Sequence, residues 1–206
     1  MTRDGKIGSF LHVLTAEEAN YLQRLASQSP LQIPLLIGID AIHGNAQVAG
    51  CTVYPTSIGQ ASTFDPELVE RICEETAAEM RATGSQWTFN PNVEVARDPR
   101  WGRVGETFGE DPYLVSVMGA ASVRGYQGRD FSEPGRVLSC VKHFVGGSQP
   151  VNGTNGSPTD LSERTIREIF FPPFKAGIDA GAYSMMTAHN ELNGIPCHSN
   201  RWLMED

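Results

Sequence analysis

Apolar and β-branched residues gather in five short runs, at residues 7–13, 34–40, 87–95, 138–144 and 183–189. Each has the length of a strand and is bounded by turn-forming residues, so five strands are predicted. Between them the apolar positions recur with helical spacing, and four helix starts are legible. Thr15 with Glu18 reads as a capping box, Asp65 precedes Pro66, Asp111 precedes Pro112, and Asp160 stands three residues before Glu163. Strands that alternate with helices specify βαβ units and a parallel sheet, either open and doubly wound or curled toward a barrel. Residues 35–39 and 138–141 read as strands covered on both faces. Pro172 and Pro173 interrupt the fourth helical pattern, which predicts a kink near Phe171, and Gly181 suits its C-terminal cap.

The connections carry more information than the elements. Segments 41–64, 96–110 and 145–159, which leave the second, third and fourth strands, are long and rich in Gly, Pro, Asn and Asp. Loops of that length in a compact fold are usually functional, and in parallel α/β folds the loops leaving strand C-termini line the ligand-binding face. Position therefore nominates Asp40 and His43, the stretch 97–103, Lys142 with His143, and His189 with Asn190. Asp40 suits either a grip on two neighbouring hydroxyls or a cap or ion pair. Among Arg97, Arg100 and Arg103, at least one must pair with Asp98 or Glu106. A lysine ending a buried strand needs an anion or hydroxyls beside it, which makes Lys142 and His143 the pair least suited to a purely structural role. His189 fits a ligand contact or a core histidine equally, and His12 and His198 have no partner legible in the sequence. Asn152 and Asn155 read as turn residues rather than glycosylation sites.

Composition narrows the chemistry. The 206 residues are 40% hydrophobic and carry 16 basic against 24 acidic side chains, a net charge of -8. A chain of this length hides roughly 70% of its unfolded surface on folding and needs no disulfide or metal to do so. The acidic balance, with basic residues scattered outside 97–103, argues against nucleic acid. No apolar run approaches the roughly 20 residues of a spanning helix and no signal-peptide apolar region opens the chain, so no membrane partner is expected. Cys51, Cys73, Cys140 and Cys197 are widely spaced and read as buried thiols; the five histidines lack ligand spacing, so neither metal nor cofactor is expected. No phosphate-binding loop, nucleophile elbow or His-Glu-x-x-His motif occurs. Donors and acceptors without those features suit an uncharged, hydroxyl-rich ligand.

The loop residues also match a known pattern. Gly38-Ile39-Asp40-Ala41-Ile42-His43-Gly44, Phe89-Asn90-Pro91-Asn92, Arg97-Asp98-Pro99-Arg100-Trp101-Gly102-Arg103 with Glu106, and Glu110-Asp111-Pro112 occur in that order. Lys142-His143-Phe144, Asp160-Leu161-Ser162-Glu163-Arg164-Thr165, Pro172-Pro173-Phe174 and the stretch from Met186 to Pro196 follow. Over nearly its whole length the chain resembles the N-terminal domain of glycoside hydrolase family 3, of the β-glucosidase type. The resemblance implies a (β/α)8 TIM-barrel-type fold over 1–206, incomplete at about five strands. It implies an exo-acting, retaining β-glycosidase that hydrolyses terminal β-D-glucosyl residues of oligosaccharides, with a β-linked oligosaccharide or glucoside as its partner. It further implies that Asp40, Arg103, Lys142 and His143 hydrogen-bond the innermost sugar, with His189 where many glucosidase-type members have Tyr. A non-proline cis peptide at Lys142–His143 or Phe144–Val145 is implied as well.

Two departures bear on activity. Retaining hydrolysis uses two carboxyl groups about 5 to 5.5 Å apart. In the family the nucleophile lies in a Ser-Asp-Trp type motif beyond the region matching residues 202–206, and the acid/base usually lies in a further domain. Neither motif occurs here, so no catalytic residue is assigned within the chain, and the remainder of the barrel and a second domain are expected beyond Asp206. A periplasmic or secreted full-length protein is compatible with this. Phe144-Val145-Gly146-Gly147 departs from the loop of the N-acetylglucosaminidase branch, and the match around Asp40 puts glucosidase ahead of xylosidase. The alternatives are a non-catalytic carbohydrate-binding or inactive fragment and, more remotely, a sugar-phosphate isomerase or aldolase using Lys142. Sequencing downstream of the Asp206 codon is expected to continue in frame to a Ser-Asp-Trp-like motif; an immediate stop codon would favour the binding or inactive reading.

Overall fold

The structure is a computed structural model that describes residues 1–130 and 133–206. Five parallel strands follow one another: β1 (Ser9–Leu11), β2 (Leu36–Ile39), β3 (Trp87–Thr88), β4 (Cys140–Phe144) and β5 (Ser184–Thr187). β1, β2 and β3 pair in that order, β4 pairs with β5, and parallel bridges from Trp87 to Leu138 and from Asn92 to Lys142 join the two groups. Helices α1 (Ala16–Ala26), α3 (Pro66–Thr83), α4 (Pro112–Gln127) and α6 (Phe171–Asp179) form the crossovers, with the short helix α2 (Ser57–Ala61) inside the loop that follows β2. This is the architecture of a (β/α)8 barrel, of which the described residues carry five strands. At the two open edges Leu11 and Met185 are exposed.

The helices begin where side chains satisfy their first amides. Thr15 accepts from the Glu18 amide, Asp65 from that of Leu68 and Asp111 from that of Leu114, the latter two with proline at the first helical position. The fourth start differs from the sequence reading. Asp160 caps nothing; Ser162 accepts from the Thr165 amide and begins the short helix α5 (Glu163–Thr165). Asp160 lies two residues earlier, outside the reach of that first turn. Pro172 and Pro173 lack amides to bond back, and in the turn before them, Ile166–Phe170, the helix widens until the Phe171 amide bonds to the Ile166 carbonyl five residues back. The predicted break near Phe171 is therefore present.

The third strand is shorter than its apolar run. Pro91 has no amide for a ladder, and the amides of Asn92 and Glu94 bond to the side chains of Asn90 and Asn92 instead. After β5 the chain forms a small hairpin, β6 (Glu191–Leu192) and β7 (Ile195–Pro196), turned at Asn193-Gly194 with both residues at positive φ. A last short helix, α7 (Arg201–Met204), carries Trp202, which stacks on Phe171, itself stacked on Phe144 of β4.

The main core lies between strands and outer helices and includes Ile39, Val69, Met80, Val93, Met118, Val141 and Phe174. Three of the cysteines are buried as expected, but Cys51 is only half-buried, in the loop after β2 where Asn45 donates to its sulfur. Helices α3 and α4 approach closely at Gly125, where a Cβ would meet the Glu70 carbonyl at 2.3 Å and Cys73 Cβ at 2.7 Å. Alanine in place of a helical glycine normally gains about 1 kcal/mol, yet backbone on the opposing side cannot give way, so overpacking wins. Gly125→Ala is expected to destabilise by about 1–3 kcal/mol and lower the melting temperature by several degrees. Gly8→Ala, where an added Cβ meets nothing within 4 Å, serves as the thermal-melting control.

Candidate active site

The C-terminal ends of the strands converge on one charged cluster. Asp40 follows β2, and Lys142 and His143 lie in β4. Lys142 Nζ donates to Asp40 Oδ1 at 2.6 Å, and only 3% of the lysine side chain is exposed. The requirement that a buried lysine meet an anion is thus met by the other residue nominated from position. His12, just past β1, bonds through its amide to the Gly38 carbonyl and through Nε2 to Asp40 Oδ2 at 3.0 Å. Tyr126 of α4 donates to the Ala41 carbonyl and accepts from Asn90, which pins the backbone leaving Asp40.

Two loops complete the cluster. In the stretch 97–103, Arg100 pairs with Asp98 at the surface, while Arg103 donates through Nε and Nη2 to both oxygens of Glu106, each at 2.8 Å. Arg103 Nη2 also lies 3.2 Å from His143 Nε2. Trp101 is buried and donates to Asn155 at 2.9 Å, fastening this loop to the one that follows β4. The loop after β2 is held from behind: Thr52 donates to Glu79, Tyr54 donates to Glu75, and His43 Nδ1 lies 3.1 Å from the Tyr54 carbonyl. Gly44 closes this loop at a φ of +91°, where a Cβ would come within 2.2 Å of the Thr52 carbonyl. The hydrogen bond to Glu75, aided by burial, pushes the Tyr54 phenol up to about 12.

Asp40, His43, Arg103, Glu106 and Lys142 line a cavity of about 490 Å³, a size in the range of small-ligand sites. His143 and His189 line a smaller recess beside it, of about 40 Å³, and Arg103 borders both. The exposed His189 ring contacts His198, 3.2 Å between Nδ1 and Nε2, and Asn190 is buried. Burial opposes the charge on Asp40, but the Lys142 ammonium and the hydrogen bonds from Lys142 and His12 outweigh it and hold the carboxyl below its usual range. Burial likewise opposes the charge on Glu106, and its hydrogen bond and ion pair with Arg103 win. The cavity thus presents fixed donors and charged acceptors at its wall, the pattern that recognises neighbouring hydroxyls. Lys142–His143 and Phe144–Val145 are both cis.

Sequence reasoning missed His12 as the second partner of Asp40, and it passed over Glu94, whose Oε2 lies 2.8 Å from His143 Nδ1 with 2% of its side chain exposed. Glu94 had a signal: it is the one charged residue in the apolar run 87–95. His12 had none, because its partner is 28 residues away.

A polar cluster at the C-terminal rim of a parallel barrel defines a barrel of the kind that bears enzyme active sites on that face. The chain belongs to glycosyl hydrolase family 3: the N-terminal domain of that family matches residues 4–206. It is 41% identical to a β-xylosidase of Formosa agariphila over 98% of its length, and 37% identical to a periplasmic β-glucosidase of Salmonella typhimurium over its full length. It spans 30% and 26% of those relatives. A β-glucosidase from Listeria innocua in complex with laminaribiose superposes with a TM-score of 0.90 and 38% identity, covering 95% of this chain and 27% of that one. An exo-1,3/1,4-β-glucanase from a Pseudoalteromonas superposes with 0.93 and 33%, covering 100% and 28%. Among the described residues no helix is long and apolar enough to cross a membrane.

A depressed carboxyl contributes stability that is present above its unfolded value of about 3.9 and is lost as pH falls through the lower folded value. Melting temperatures followed from about pH 6 to pH 2.5 are expected to fall more steeply for the wild type than for Asp40→Asn, which has no charge to lose. Equal slopes would remove the ion pair from the account of acid stability.

Proposed function

We propose that this chain supplies the sugar-binding floor of a retaining, exo-acting β-glucosidase that removes terminal β-D-glucosyl residues from oligosaccharides. Asp40, Arg103, Lys142 and His143 hydrogen-bond the hydroxyls of the innermost sugar, and His189 stands at the rim toward the neighbouring unit. The observation that carries this reading is the Asp40–Lys142 ion pair in the wall of a cavity of small-ligand size, with Arg103 beside it. Each pyranose hydroxyl donates one hydrogen bond and accepts others, so an anion and two cations side by side suit adjacent hydroxyls. The Listeria innocua β-glucosidase, similar over this region, has structures in complex with glucose and laminaribiose.

Asp40 and Glu106 are each taken up by ion pairs and Glu94 faces His143, which fits binding rather than nucleophilic work. In this reading the nucleophile and the acid/base carboxyl come from polypeptide beyond Asp206. The 41% identity to a β-xylosidase supports a second reading, in which the sugar is a pentose lacking the exocyclic CH2OH group.

The protein made at the full length its gene encodes is expected to hydrolyse an aryl β-glucoside faster than the matching β-xyloside, with retention seen by NMR of the first-formed anomer. Asp40→Ala is expected to lower kcat/KM by about 100-fold or more, since it removes a charged acceptor and leaves the Lys142 ammonium uncompensated. Asp40→Asn, which keeps the shape, controls for folding. Full activity in Asp40→Ala would remove that residue from the site, and faster xyloside turnover would favour the second reading.

A further inference from the structure

We infer that Glu94 is a positioning residue of the sugar site: it locks the tautomer and ring plane of His143, so that His143 Nε2 offers a lone pair beside Arg103. This rests on the sugar-binding reading above. The geometry leaves one consistent assignment. A guanidinium has only donors, so the 3.2 Å contact from Arg103 Nη2 requires His143 Nε2 to accept. The ring proton is then on Nδ1, which is 2.8 Å from Glu94 Oε2 and donates to it. With Arg103 fixed in turn by both oxygens of Glu106, the order runs Glu94, His143, Arg103, Glu106, each bond oriented by the next.

A charge at position 94 has no other evident use. Its side chain is buried, Oε2 is taken by His143, and Oε1 is buried without a protein hydrogen-bond partner. Burying a carboxylate so incompletely satisfied is costly, and such a group in a cleft marks a constraint beyond packing. Glu94, His143 and Arg103 all border the 40 Å³ recess, so the Nε2 lone pair and the guanidinium stand at the wall of one space. A hydroxyl that inserts between them takes over their mutual bond: it donates to His143 Nε2 and accepts from the Arg103 N–H it frees, satisfying both of its functions at once. The opposite tautomer would set an N–H of His143 against the N–H groups of Arg103 and present the sugar with donors alone.

The test uses the full-length gene product with 15N-labelled histidine, the His143 signals being identified through His143→Gln. Imidazole nitrogen shifts report the tautomer without ligand, and calorimetry with glucose reports the site. We expect Nδ1 protonated in the wild type. In Glu94→Ala we expect mixed tautomers and at least a tenfold weaker affinity, with both restored toward wild type in Glu94→Gln, which keeps a neutral acceptor of the same size. If Glu94→Ala does not fold, Glu94→Asp takes its place, because its carboxylate is drawn back from the ring and is expected to weaken both readouts. A wild-type ring protonated on Nε2, or a tautomer and affinity unchanged in the variants, overturns the inference. A wild type that binds no glucose but shows the expected tautomer and its loss in Glu94→Ala overturns the sugar-site reading and leaves the Glu94–His143 assignment standing.

Discussion

Lys142 holds an ammonium ion at the end of a strand where almost none of its side chain meets water, and a charge so placed must find a counter-charge or not be there. Asp40 supplies it, across 102 residues of sequence, at 2.6 Å. Desolvating the pair costs several kcal/mol per ion, a loss that short, well-directed hydrogen bonds offset only when both partners are held in place. Much of the surrounding structure does that holding. Tyr126 and Asn90 fix the backbone after Asp40, His12 occupies its second oxygen, and the bridge from Asn92 to Lys142 sets the height of β4 against the third strand.

A second, parallel arrangement runs from Glu94 through His143 and Arg103 to Glu106. The two arrangements meet at the border between the larger cavity and the recess, which both contain Arg103. Each sets donors against acceptors: acid, imidazole, guanidinium and acid in one, imidazole, acid and ammonium in the other. Preorganised groups of this kind lose little freedom when a ligand arrives, so the hydrogen bonds they form are realised more fully than those of mobile side chains. The barrel makes this possible because each strand delivers its residue to the same rim, while the outer helices, packed as closely as Gly125 against α3, keep the strands from shifting.

The sequence was most legible where local chemistry is strong. Thr15, Asp65 and Asp111 cap the helices they were expected to begin, and the two prolines after Phe171 disturb the helix where their missing amides require it. It was least legible where side chains compete with a ladder. The apolar run 87–95 has the length of a strand, but Asn90 and Asn92 capture the amides that a longer β3 would have used. Asp160 failed as a cap because Ser162 stood nearer to the first turn, and periodicity alone does not choose between two such candidates.

The residues that form the site follow the same division. By itself the sequence determined that Asp40, the arginine loop, Lys142, His143 and His189 would stand at the mouths of successive strands, because alternating strands and helices force a parallel sheet and a parallel sheet has one functional end. It determined that a buried lysine needs an anion and that one arginine must pair locally, as Arg103 does with Glu106 three residues away. Only the tertiary structure decided which charge meets which across the rim: that Lys142 takes Asp40, that His12 takes its other oxygen, and that Glu94 rather than a solvent molecule stands behind His143. Contacts between residues 28 to 102 positions apart depend on strand register and ring orientation, which are set by packing of the whole barrel and leave no periodic trace along the chain.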